Sequence, residues 1–85
     1  MINLQHLEQL ITVAKEGTLS RAAEVLLISQ PSLTRNMRQL EGDLGVQLFQ
    51  RSQNKLSLTE TGKYTVQQAE ALLNHEQQFL KNIQR

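Results

Sequence analysis

There is no cysteine in the 85 residues. Disulfides, thiolate metal sites and cysteine nucleophiles are therefore excluded, and with them the small disulfide-stapled secreted domain. Proline occurs once, at position 31, and glycine four times, at 17, 42, 45 and 62. The chain has few places where a helix must break. Its longest unbroken aliphatic run, Val25-Leu26-Leu27-Ile28, is far too short for a membrane span or for the apolar stretch of a signal peptide. Low-complexity tracts and internal repeats are missing as well. Charge of one sign is scarce: nine Lys/Arg against eight Asp/Glu give +1. Taken whole, that near-neutrality argues against a nucleic-acid ligand, whose binders are usually basic. With 39% hydrophobic and 20% charged residues, the composition is that of one soluble globular domain.

What is present is helical periodicity. Leu4, Leu7, Leu10, Ile11 and Ala14 recur at helical spacing, which predicts a first helix from about Leu4 to Glu16 with one buried face. Asn3 stands where an N-cap belongs and Gly17 where a helix-ending glycine belongs. A second, short helix is expected from Leu19 to Leu27, capped by Thr18 or Ser20. Its Ala22-Ala23 pair lets another helix approach closely. A third begins after Ser29, with Pro31 in its first turn, where the missing N–H costs little. Leu33, Met37, Leu40 and Leu44 form one narrow apolar stripe. At about 100° per residue, Arg35, Arg38 and Pro31 lie roughly 140–200° away from Leu33. Thr34 and Gln39 flank them, and the first acids on this helix are Glu41 and Asp43 at its far end. The alternating segment Lys55–Thr59 suits a half-buried strand, and Ser52-Gln53-Asn54 is plausible turn chemistry, so a small β-hairpin is expected. A final helix runs from about Glu60 to the end, capped by Thr59 or Thr61. Val66, Ala69, Leu72, Leu73, Phe79, Leu80 and Ile83 form its stripe, interrupted by Glu76. At 1.5 Å per residue this helix is about 37 Å long, more than so small a body covers, so part of the stripe asks for a partner.

Enzymatic constellations do not emerge. His6 and His75 lie on different helices without metal-ligand spacing, and each reads as a solvated polar-face residue. Phosphate-loop, zinc-protease and nucleophile-elbow motifs do not occur. No cofactor or metal is expected. The sharper signal is the short helix, the tight connection Ile28-Ser29-Gln30 and the helix with an acid-free polar front, which together match a helix-turn-helix. The start of a recognition helix needs short polar or forked side chains, and Gln30, Ser32, Thr34, Arg35 and Arg38 supply them. Glutamine can read adenine and arginine guanine through paired hydrogen bonds. Arg51, Asn54 and Lys55 cluster at the hairpin tip, where a wing can follow phosphates or enter the minor groove. The charge is uneven in the same sense. Residues 1–16 carry −1, residues 17–55 carry +2 and residues 56–85 carry 0, so the positive part lies on the motif.

Several segments follow one another at telling spacings: Leu4-Gln-His-Leu, Gly17-Thr-Leu-Ser-Arg-Ala-Ala-Glu24, Ser29-Gln-Pro-Ser-Leu-Thr-Arg35, Leu40-Glu41, Leu44-Gly-Val-Gln-Leu-Phe-Gln-Arg51 and Leu58-Thr-Glu-Thr-Gly62. Together they closely resemble the N-terminal DNA-binding domain of LysR-type transcriptional regulators, over nearly the whole chain. The resemblance implies a mainly α fold with a small β-hairpin: a winged helix-turn-helix over residues 1–59, then a linker and dimerisation helix over 60–85. It implies that Gln30, Pro31, Thr34 and Arg35 meet the major groove, that Thr18 and Ser20 bind phosphate, and that Arg51 and the wing tip approach the backbone and minor groove. The last helix is expected to pair antiparallel with its counterpart in a homodimer. Where many members carry arginine at the wing tip, this chain has Asn54-Lys55. Val25 and Leu27 stand at places usually polar in the family, either as an added exposed apolar contact or as surface drift.

The implied function is sequence-specific binding of double-stranded DNA as a cytoplasmic, nucleoid-associated bacterial regulator, with neither membrane nor enzymatic role. The family's inducer-binding domain would begin where this chain stops, so the chain is expected to be an excised DNA-binding fragment or else a stand-alone short form, the fragment being favoured, and in either case without a small-molecule site. The competing expectation, motivated by Val25, Leu27 and the long stripe, is a winged-helix interaction or dimerisation module that does not read DNA.

Overall fold

Each helix begins at a side-chain oxygen. The computed structural model describes residues 1–52 and 55–84, in the order α1 (Leu4–Glu16), α2 (Leu19–Leu26), α3 (Gln30–Leu44), β1 (Phe49–Ser52), β2 (Lys55–Leu58) and α4 (Glu60–Gln84). Asn3 Oδ1 accepts from the Gln5 N–H at 2.8 Å, Thr18 Oγ1 from Arg21 at 3.1 Å, Ser29 Oγ from Ser32 at 3.2 Å and Thr59 Oγ1 from Gly62 at 2.9 Å. These bonds satisfy N–H groups that a first helical turn leaves without partners. Of the alternatives open in the sequence, Thr18 and Thr59 are the caps, and Pro31 lies in the first turn of α3.

The helix ends differ. α1 and α3 stop at glycines with φ of 86° and 70°, whereas α2 stops at Leu27 with φ of 60°. It ends one residue short of the expected Leu27 because that residue has turned left-handed. For a residue with a Cβ this conformation is strained by about 1–2 kcal/mol. The N–H groups of Leu27 and Ile28 close the turn on the carbonyls of Glu24 and Ala23, at 3.2 and 3.1 Å.

The core is built from Leu7, Leu10 and Val13 of α1, Ala22 and Ala23 of α2, Leu33, Met37 and Leu40 of α3, with Leu48 and Ala69. Of the expected α3 stripe, Leu33, Met37 and Leu40 are buried and Leu44 is half-buried. The two alanines let α2 lie close to both α1 and α3. Gln9 accepts a bond from Asn36 Nδ2 at 2.9 Å, tying α1 to α3. Two expectations for α1 are corrected. Leu4 is exposed, because burial on this helix starts only at Leu7. His6 is half-buried, and its Nδ1 is shut off from solvent with no partner among the described residues. Three helices pack on α1, so its covered arc is wider than its apolar stripe.

The strands pair antiparallel, Phe49 with Leu58 and Arg51 with Leu56. Two groups anchor this hairpin to the helices. Glu41 Oε2 accepts from the N–H groups of Leu48 and Phe49 at 2.8 and 3.2 Å. Thr59 donates its hydroxyl to the Gln47 carbonyl at 2.7 Å and its N–H to the Leu48 carbonyl at 2.9 Å. A Cβ on Gly62 would collide with the Leu48 carbonyl oxygen, so the start of α4 can pass this close only as glycine.

α4 packs on α1 through its first half, with Gly62 and Ala69 buried and Val66 half-buried against the core. Val66 and Ala69, expected in the dimerisation stripe, are thus covered by their own chain. Beyond them Leu73 is half-buried and Leu72, Phe79, Leu80 and Ile83 are exposed. The molecule measures 50 × 26 × 21 Å. No helix among the described residues is long and apolar enough to cross a membrane.

Candidate nucleic-acid interface

The buried stripe of α3 decides what its other face can be. With Leu33, Met37 and Leu40 turned inward, Gln30, Pro31, Arg35 and Arg38 are exposed and Thr34 is half-buried. These five line one shallow concave surface. Among the described residues neither arginine is ion-paired, so both guanidinium groups are available to an anionic or base-edge ligand. Ser32 departs from this pattern. It is half-buried and does not line that surface, and its hydroxyl is hydrogen-bonded within the helix.

A groove of about 750 Å³ runs between the start of α2, the start of α3 and the hairpin. Thr18, Ser20, Gln30 and Arg51 all line it. Residues far apart in sequence thus share one rim, and Gln30 borders both surfaces. Thr18 and Ser20 are exposed at the start of α2, whose first turn carries no acid. Thr18 Oγ1 already accepts the Arg21 N–H, which leaves its own proton to donate. Arg21 itself leans on Glu16 at 3.4 Å and is less available than Arg35 or Arg38. Arg51 is exposed on β1. Asn54 lies outside the described residues, and of Lys55 the backbone, paired with Ser52 at the start of β2, is described. Among the described residues no group of three His, Asp or Glu side chains could hold a metal ion.

Glu41 is the site residue that spacing did not reveal. Its carboxylate fixes where β1 starts relative to the end of α3, and so places Arg51 relative to Arg35 and Arg38. The available signal was its position next to Leu40, beside the buried stripe, where an acid needs donors.

A helix-turn-helix with a two-stranded wing defines a winged helix-turn-helix protein. Residues 4–63 match the family model described as "Bacterial regulatory helix-turn-helix protein, lysR family", and the chain belongs to that family. It is 46% identical over 70 residues, 82% of its length, to the probable RuBisCO transcriptional regulator of Phaeodactylum tricornutum, of which this covers 23%. The chain spans about a quarter of the length of the curated relatives it matches. It superposes on the CbnR_DBD–DNA complex with a TM-score of 0.90 at 34% identity, covering 98% of this chain and 95% of that one. For the BenM_DBD/catB site 1 DNA complex the TM-score is 0.89 at 33% identity, covering 99% and 90%.

Proposed function

We propose that the chain binds double-stranded DNA sequence-specifically, as the reading head of a bacterial transcriptional regulator. One observation carries this reading: Gln30, Pro31, Thr34, Arg35 and Arg38 line a single surface on the start of α3, opposite the buried Leu33, Met37 and Leu40. The resemblance to regulator domains solved with DNA supports it. α3 enters the major groove, where Gln30, Thr34 and Arg35 meet base edges and Pro31 packs against them. Thr18, Ser20 and Arg38 hold phosphates, and Arg51, Asn54 and Lys55 carry the wing along the backbone toward the minor groove. Residues 1–59 form the reading unit and residues 60–85 the linker. The role is a cytoplasmic one on the nucleoid, and the chain is not an enzyme.

The chain acts as a homodimer through the second half of α4. Leu72, Phe79, Leu80 and Ile83 are 48%, 59%, 47% and 69% exposed, and with Leu73 they recur at the heptad spacing of a two-helix seam. Pairing two heads raises affinity by linking their binding events, which suits a chain of small net charge.

Selection from a random DNA pool tests the main reading, because it returns half-site and spacing together. The selected duplex is expected to bind far more tightly than random duplex, with an affinity that falls as salt rises. Arg51→Ala should weaken both duplexes alike and reduce the salt slope by about 1. The second reading, an interaction module, is favoured by Val25 and Leu27, which are 53% and 91% exposed. Absence of salt-dependent binding to sheared genomic DNA at low salt would favour it instead. A chain that sediments as a monomer at tens of micromolar would remove the dimer.

A further inference from the structure

The oxygen of Ser32 receives two hydrogen bonds, from the Ser29 hydroxyl at 2.8 Å and from Arg35 Nη2 at 3.3 Å. Ser29 is itself fixed, because its oxygen accepts the Ser32 N–H at 3.2 Å as the cap of α3. A continuous chain therefore runs from the helix cap through Ser32 to the guanidinium. Both lone pairs of the Ser32 hydroxyl are occupied. An arginine reaching back three residues toward the helix start follows the favoured side-chain direction. Its five N–H groups form a rigid fork, so one bond to Ser32 leaves the rest of the fork free.

We propose that Ser32 is a positioning residue: it sets the Arg35 guanidinium over the first turn of α3 before a ligand arrives, and acts on base discrimination through Arg35 rather than by a contact of its own. The proposal rests on the reading of α3 as the DNA-reading helix. An exposed arginine otherwise samples many rotamers, and ordering it on binding costs affinity. Ser32 reduces that cost at the one α3 arginine it touches; Arg38, lower on the same face, has no such tether among the described residues.

The test titrates the 85-residue chain, S32A, R35A and the double variant with the selected duplex and with random duplex, and reads the ratio of affinities. S32A is expected to lower the ratio by roughly threefold to tenfold, to leave random-duplex binding nearly unchanged, and to add nothing once Arg35 is gone. Relaxation of the Arg35 Nε–H in the free protein should report a more mobile side chain in S32A. Ser32→Thr keeps the hydroxyl and should keep the ratio, whatever it does to thermal stability. The proposal is overturned if S32A lowers the ratio by the same factor with and without Arg35, or if it changes neither the ratio nor the Arg35 mobility. If R35A leaves the ratio intact while the selected duplex is still preferred, Arg35 is not a base reader and the proposal falls with that role. If no duplex is preferred at all, the DNA reading fails first.

Discussion

α3 and α4 carry the same kind of apolar stripe and use it in opposite ways. On α3 the stripe is covered by the chain itself: Leu33, Met37 and Leu40 are buried and Leu44 is half-buried against the core. On α4 full burial ends at Ala69, Leu73 is half-buried, and Leu72, Phe79, Leu80 and Ile83 are left to solvent. A periodic stripe states where a helix will be buried but not by what. For α3 the answer is the chain itself, which frees the polar face for a ligand. For the far half of α4 the stripe itself is the uncovered surface.

Substitutions on the two helices test the contrast directly. Leu40→Ala removes a fully buried side chain and should cost about 2–5 kcal/mol of stability, measured by denaturant unfolding. Leu80→Ala, measured at concentrations where the chain is monomeric, should change stability by less than about 0.5 kcal/mol. Equal losses would erase the distinction. The glycines offer a second pair. Gly62→Ala drives a methyl group into the Leu48 carbonyl and should destabilise by about 1–3 kcal/mol. A Cβ on Gly42 meets nothing within 4 Å, so Gly42→Ala should stabilise α3 by up to about 1 kcal/mol. On the free face of α3, Arg35→Ala should leave thermal unfolding unchanged yet cost about 1–3 kcal/mol of affinity for the selected duplex and relax its base preference. Equal losses on selected and random duplex would show that Arg35 meets phosphate only. The turn before α3 supplies the last test. Leu27→Gly relieves the left-handed strain and exposes little, so it should raise stability by about 1 kcal/mol, seen as a higher Tm.

Much of this architecture was legible because it is local. Helix spacing placed α1 and α4, and side-chain caps marked their starts at Asn3 and, with Thr61 as the alternative, at Thr59. The acid-free front of α3 was visible once Leu33, Met37 and Leu40 were set as its back. What escaped depends on residues distant in sequence. The place of Glu41 beside the buried stripe signals that its carboxylate needs donors, but not that the peptide groups of Leu48 and Phe49 supply them. Gln9 and Asn36 meet only because α1 crosses α3. Val66 and Ala69 follow the same rhythm as Leu73 and Leu80, so spacing alone cannot tell the half of α4 facing its own core from the half facing outward. At Leu27, the side chain prefers helix and the turn requires a left-handed residue; the turn prevails, against local propensity.

The bonds of Glu41 have a consequence beyond holding a loop. One carboxylate oxygen joins the end of α3 to the first residues of the hairpin, so the helix and the wing work like the two jaws of a calliper clamped at one setting. Such an instrument does not close around what it measures. On the proposed DNA reading, a duplex would have to arrive with grooves of the right span or bend until it has them, so its stiffness would weigh on binding.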